Sequence, residues 1–128
     1  MVDQNSPSVK ISGIGGVFFR AQDPKSLAKW YEDHFGIPQV GDESGAMWEP
    51  GAGITVFAPF KADTDYFGST NQQFMLNFRV DDMNAALEAL EAAGVRIDEN
   101  RMEEVYGRFA WVYDPEGNKI ELWQPIQP

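Results

Sequence analysis

The sequence predicts an α+β domain in which two βαβββ modules share one cupped, mixed sheet around a cavity. Three observations predict it. The chain repeats itself: Phe19-Arg20-Ala21-Gln22-Asp23 matches Phe78-Arg79-Val80-Asp81-Asp82 (positions 19 and 78), and Ile54 to Pro59 matches Ile120 to Pro125 (positions 54 and 120). An amphipathic helical pattern follows each copy of the first motif. The remaining apolar stretches alternate with polar residues, as half-buried strands do. Neither half can bury a core alone, so the two are expected to share one, with a helix behind each.

The elements follow in order. Residues 1–9 are a polar lead-in, and Lys10 to Gly16 is Gly-rich. Val17 to Ala21 reads as a strand. Asp23 suits a helix N-cap and Pro24 the first helical position. Leu27, Trp30, Tyr31 and Phe35 then form one apolar stripe, and Gly36 ends the helix. Residues 46–49 and 54–58 read as strands joined by the turn Pro50-Gly51-Ala52-Gly53. Residues 59–73 are polar and read as a linker. Phe74 to Val80 opens the second module. Asp82 caps a helix whose stripe is Met83, Ala86, Leu87 and Leu90, and Gly94 closes it. Residues 95–98 are extended, and 99–107 read as a polar loop. Asp114 to Asn118 is turn chemistry between two strands rich in aromatic and β-branched residues. Module one spans about residues 10–60 and module two about 74–125, within a single domain 1–128.

Composition bounds the function. The chain has 128 residues, 43% hydrophobic and 23% charged, enough for one sizeable core. Net charge is −10, from 20 acids against 10 bases, and no basic patch is visible, which weighs against nucleic acid and against an anionic membrane surface. No apolar run approaches the roughly 20 residues of a membrane span. The start of the chain lacks a secretory pattern, so the cytoplasm is the expected location. Cysteine is absent, which excludes thiolate chemistry. With His34 as the one histidine, on the polar side of its helix, a multi-histidine metal site and a Ser-His-Asp triad are disfavoured.

Strand alternation sorts the side chains. Val17, Phe19, Ala21, Ile54, Val56, Leu76, Phe78, Val80, Ile120 and Leu122 are assigned to the helix-covered face. The opposite face then carries Phe18, Arg20, Thr55, Phe57, Asn77, Arg79, Glu121 and Trp123, with Trp111 from the neighbouring strand. Aromatic walls with a few convergent polar groups suit a small-molecule ligand. Arg20 and Arg79 occupy equivalent repeat positions and suit an anion. Glu121 is the candidate catalytic residue, as a general base, or else the partner of one of those arginines. Tyr106-Gly107 reads as a lip of the cavity.

Three motifs, "VFFRAQDPKSLAKWYEDHFGI", "LNFRVDDMNAALEALEAAGV" and "YGRFAWVYDPEGNKIELWQP", make the chain resemble the glyoxalase/bleomycin-resistance/extradiol-dioxygenase superfamily, or vicinal oxygen chelate fold. They and their connections cover about residues 10–125. The resemblance implies paired βαβββ modules, a homodimer and, in many members, a divalent metal held by four pseudo-equivalent positions. Carried onto this chain, those positions are Gly16, Met75, Thr55 and Glu121, of which Glu121 alone is a usual ligand. A metal is therefore not favoured, and the resemblance implies a protein that binds or converts a small molecule without a full ligand set. Two alternatives stand beside it: a metal-dependent lyase or dioxygenase anchored by Glu121, and a structural domain whose cavity is filled by its own side chains.

Overall fold

The computed structural model describes residues 8–41, 45 and 47–126. Helix α1 is Pro24–Phe35. The Asp23 carboxylate accepts from the Ser26 amide at 3.1 Å, which fixes its start at the expected cap. Gly36 closes it in the left-handed region (φ 71°) and donates to the Glu32 carbonyl at 3.0 Å. Helix α2 is Met83–Ala92, and the Asp82 carboxylate accepts from the Ala85 amide at 3.0 Å.

Four strands follow in the order expected of module two. They are β1 (Leu76–Arg79), β2 (Arg96–Glu104), β3 (Gly107–Tyr113) and β4 (Lys119–Pro125). The sheet order is β1-β4-β3-β2, with β1 parallel to β4 and the other pairs antiparallel. The sheet is mixed and open. Residues 76–125 thus realise β-α-β-β-β in full.

The core lies on the sheet face predicted for it. Ala110, Val112, Ile120 and Leu122 pack with Leu27 and Tyr31 of α1 and with Met83 and Leu90 of α2. Fully burying an Ile or Leu side chain is worth about 1.5–3 kcal/mol each, so this layer holds the helices to the sheet. A polar contact crosses it: the Tyr31 hydroxyl donates to Asp114 at 2.7 Å. Asp114 also accepts from the backbone amides of Glu116 and Asn118 in the β3–β4 turn. The turn expected from Asp-Pro-Glu-Gly-Asn is therefore tied directly to α1.

The first half departs from expectation. Residues 17–21, 47–49 and 54–58 form no strand among the described residues, and Ala46 and residues 1–7 lie outside them. Phe19 and Ala21 do pack against the core, but Val17 is exposed. Ile54 and Val56, expected beneath a helix, are exposed as well. A strand needs a neighbour to satisfy its backbone, and among the described residues no ladder with the sheet reaches these segments.

Two segments read as loop or linker are structured instead. Residues 99–104 continue β2, and the turn falls at Val105-Tyr106. This is an edge strand, where charged side chains stay in water while the backbone pairs with β3, so polarity does not forbid it. Residues 59–73 are not a free linker. The Gln72 side-chain amide donates to the Lys119 carbonyl at 2.9 Å and accepts from its amide at 2.8 Å, standing in for a strand neighbour of β4.

Candidate functional site

The site is set by sheet register. On β4, Ile120 and Leu122 enter the core, so Lys119, Glu121 and Trp123 point to the opposite face. Asn77 on β1 and Trp111 on β3 are the direct neighbours of Glu121. Arg79 and Phe109 flank Trp123 in the same way. Two rungs, Asn77–Glu121–Trp111 and Arg79–Trp123–Phe109, therefore line up side by side.

Phe109, Trp111 and Trp123 form a second apolar cluster, joined by Tyr66, Met75 and Met102. The Phe109 and Trp123 rings are parallel within 2°, with centroids 6.0 Å apart. Gly107 permits the Trp123 indole to lie against its backbone. It has φ 145°, and a Cβ there would meet the Trp123 indole nitrogen and, at 2.5 Å, the Gln124 carbonyl. The Trp123 indole N–H donates to the Tyr106 carbonyl at 3.0 Å, which fixes the Val105-Tyr106 turn over the end of the cluster.

Glu121 is 8% exposed within this apolar surround. Its carboxylate takes three neutral donors. Asn77 Nδ2 donates to Oε1 at 2.7 Å, Trp111 Nε1 donates to Oε2 at 3.0 Å, and the Tyr66 hydroxyl donates to the same Oε2. A buried carboxylate is tolerated only when its lone pairs are met in this way. The Tyr66 ring stands edge-on to Trp111 at 6.1 Å and stacks on Phe60 at 5.6 Å. Burial, and then the hydrogen bond to Glu121, push the Tyr66 hydroxyl well above the ordinary tyrosine value, so it stays a neutral donor. Lys119 Nζ lies 5.1 Å from the Tyr66 ring centroid and 5.4 Å from that of Trp111, and donates to the Tyr66 carbonyl at 2.8 Å.

Of the expected site residues, the structure gathers Asn77, Glu121, Trp111 and Trp123. It does not gather the rest. Phe18, Thr55 and Phe57 lie exposed in the extended segments of the first half. Arg79 turns away from Glu121 and donates to the carbonyls of Ile54 at 2.5 Å and Gly51 at 3.1 Å, binding the 51–54 turn to the sheet. Arg20 borders a separate surface groove of about 470 Å³, beside Gln22, Pro24 and Glu116. The two arginines therefore form no joint anion site, and neither pairs with Glu121. Sequence reasoning missed Lys119 and Tyr66. Alternation along β4 would have found Lys119, two residues before Glu121. Tyr66 had only the weak signal of Phe60, Tyr66 and Phe67 in a polar stretch.

The donor set does not suit a divalent ion. Both Glu121 oxygens face N–H and O–H donors, which complement an anion and not a cation. Among the described residues no group of three or more His, Cys, Asp or Glu comes together. Of the four superfamily ligand positions, Met75 and Glu121 border this cluster, while Gly16 and Thr55 are exposed.

Comparison with known proteins agrees with this architecture. The family model of the Glyoxalase/Bleomycin resistance protein/Dioxygenase superfamily matches residues 13–122. No curated protein matches the chain significantly. Among solved structures, TnmS3, an antibiotic binding protein from Streptomyces sp. CB03234, is 27% identical with a TM-score of 0.62. The match covers 92% of this chain and 99% of that one. Lactoylglutathione lyase from Agrobacterium tumefaciens is 19% identical with a TM-score of 0.57, over 89% of this chain and 94% of that one, and shares the fold. A structure from the mobile metagenome of V. Pseudocholerae is 23% identical with a TM-score of 0.58, over 93% and 98%. Among the described residues no helix is long and apolar enough to cross a membrane.

Proposed function

Because the chain belongs to the Glyoxalase/Bleomycin resistance protein/Dioxygenase superfamily, we propose that it binds an aromatic small molecule on the face formed by Phe109, Trp111 and Trp123, with Glu121 as its polar anchor and without a metal. The observation that carries the reading is the Asn77–Glu121–Trp111 rung: one carboxylate, buried and oriented by donors, in an aromatic wall. The likeness to an antibiotic binding protein at 27% identity supports a binding role for this chain. Thermal shift with a panel of polycyclic aromatic compounds tests it. A ligand at many times its Kd raises Tm of the wild type, and the rise shrinks in Glu121→Gln and Trp111→Leu. A panel with no response, or one indifferent to both substitutions, removes the site.

One observation favours the competing reading of a structural domain. The Tyr66 hydroxyl already fills the second acceptor position of Oε2, beside Trp111. The two readings part on whether any compound reaches Glu121.

We further propose one cytoplasmic domain over residues 1–128, acting as a homodimer. The supporting feature is the exposed apolar content of the first half: Phe18, Ile54, Val56 and Phe57 all face solvent in a single copy. Sedimentation equilibrium tests it, and a single species of about one chain mass at micromolar concentration would overturn it.

A further inference from the structure

Among the donors that hold Glu121, one differs in origin. Asn77 and Trp111 belong to the sheet and are locked to Glu121 by strand register. Tyr66 comes from the 59–73 segment, outside the sheet, and is only half-buried. Of the three it is the one whose backbone is not held in the sheet, so its departure costs the Phe60 stack and the edge-on Trp111 contact but leaves the strand pairing intact. Its departure strips a donor from a buried carboxylate oxygen, which then requires a replacement.

The Tyr66 side chain also records what this place accepts. Its ring stands edge-on to the Trp111 indole, at 85° between planes. The Lys119 ammonium approaches its ring, which favours an electron-rich aromatic there. Its hydroxyl points at Oε2 of Glu121. An aromatic ring bearing a hydroxyl satisfies all three features at once. An aliphatic alcohol fails on the ring, and a bare aromatic leaves Glu121 short of a donor.

Building on the binding reading above, we propose that Tyr66 is a removable occupant of the site and that the ligand it stands in for is a phenol: a flat aromatic molecule whose ring hydroxyl replaces the Tyr66 hydroxyl on Glu121. The exchange is hydrogen bond for hydrogen bond, so the carboxylate is never left unmet. The ligand ring takes the place of the Tyr66 ring, edge-on to Trp111 and against the buried Phe109–Trp111–Trp123 cluster. Tyr66 thereby sets specificity, since a compound without the donor displaces it at a net loss.

Isothermal titration of the full chain with 2-naphthol and 2-methoxynaphthalene tests this. These probes share the ring system and differ in the donor. In the wild type 2-naphthol binds and the methoxy compound binds at least about tenfold more weakly, the worth of one hydrogen bond to a charged group. Tyr66→Ala tightens 2-naphthol by about tenfold, because the competitor is gone. Tyr66→Phe, which keeps the packing, tightens it by a smaller factor and serves if the alanine variant does not fold. In Tyr66→Ala/Glu121→Gln the preference for the hydroxyl shrinks to a few-fold. Equal binding of the two probes to Tyr66→Ala overturns the inference while leaving an aromatic-binding face in place. So does 2-naphthol binding that is unchanged in both Tyr66 variants. If neither probe binds any variant and the thermal-shift panel is also silent, the binding reading falls with it.

Discussion

Residues 54–58 and 120–124 have nearly the same alternating pattern and opposite fates. Ile54, Val56 and Phe57 are 69%, 67% and 87% exposed, whereas Ile120, Leu122 and Trp123 are 1%, 0% and 8% exposed. The difference is not hydrophobicity. It is the presence of neighbours. β4 lies between β1 and β3, so both of its backbone edges are paired and both of its faces are covered. Residues 54–58 have no strand on either side among the described residues. A period-two pattern specifies which side chains would share a face; burial requires a second surface to meet them.

The sharpest way to break the comparison is to truncate equivalent residues. Leu122→Ala should cost about 2–5 kcal/mol in urea unfolding, since it empties a fully buried position. Val56→Ala should stay within about 0.5 kcal/mol, as exposed substitutions do. A cost at Val56 close to that at Leu122 would show that the first half is covered in solution, as in the proposed dimer, and its dependence on protein concentration would identify the cover.

Gly107→Ala comes next, at roughly 1–3 kcal/mol, because alanine at that φ is strained and its Cβ would press on Trp123. Near-ultraviolet circular dichroism should register the altered Phe109–Trp123 stack. An unchanged spectrum and stability would mean that the Tyr106 turn is not fixed by Trp123.

Alkaline pH probes two tyrosines hydrogen-bonded to carboxylates, the buried Tyr31 and the half-buried Tyr66. Burial is the first cause that raises the Tyr31 and Tyr66 hydroxyls above their unfolded value, with bonds to Asp114 and Glu121 adding to it. The unfolded chain therefore loses these protons first. Their contribution is intact below the unfolded value of about 10 and is lost as pH rises above it. Tyr66→Phe should flatten the fall in stability above about pH 10. An identical slope would mean that Tyr66 titrates as if exposed, and so is already out of the site.

The smallest effect lies at the sheet edge. The Tyr113 hydroxyl bonds to Asp98 at 2.7 Å and is the leading cause that holds this carboxyl below its ordinary value. Its contribution is present above the unfolded value of about 3.9 and fades as pH falls through the lower folded one. Tyr113→Phe should remove a small part of the acid dependence measured by urea midpoints between about pH 2 and 5. No change would assign the shift to the Asn100 amide instead.

Much of the fold is legible in the residues alone. Asp23, Pro24 and Gly36 mark α1, Asp82 marks α2, and Asp114 to Asn118 mark the β3–β4 turn, because caps and turns are local chemistry. The alternation of Ile120, Glu121, Leu122 and Trp123 is legible too, since it depends only on strand geometry. The continuation of β2 through Glu104 is not, because edge pairing with β3 overrides a polar composition. Nor are the departures at Phe18, Arg20, Thr55, Phe57 and Arg79, which depend on what stands opposite them.

Local spacing along the chain thus dictates the two helices, the hairpin and the face on which Glu121 stands, because each rests on residues five or fewer positions apart. The closed fold, and nothing local, brings Tyr66 to the carboxylate of Glu121, 55 residues away, and sets Arg79 on backbone carbonyls 25 and 28 residues away. Such contacts form only when a long loop closes onto a finished sheet, and no local pattern encodes where it lands.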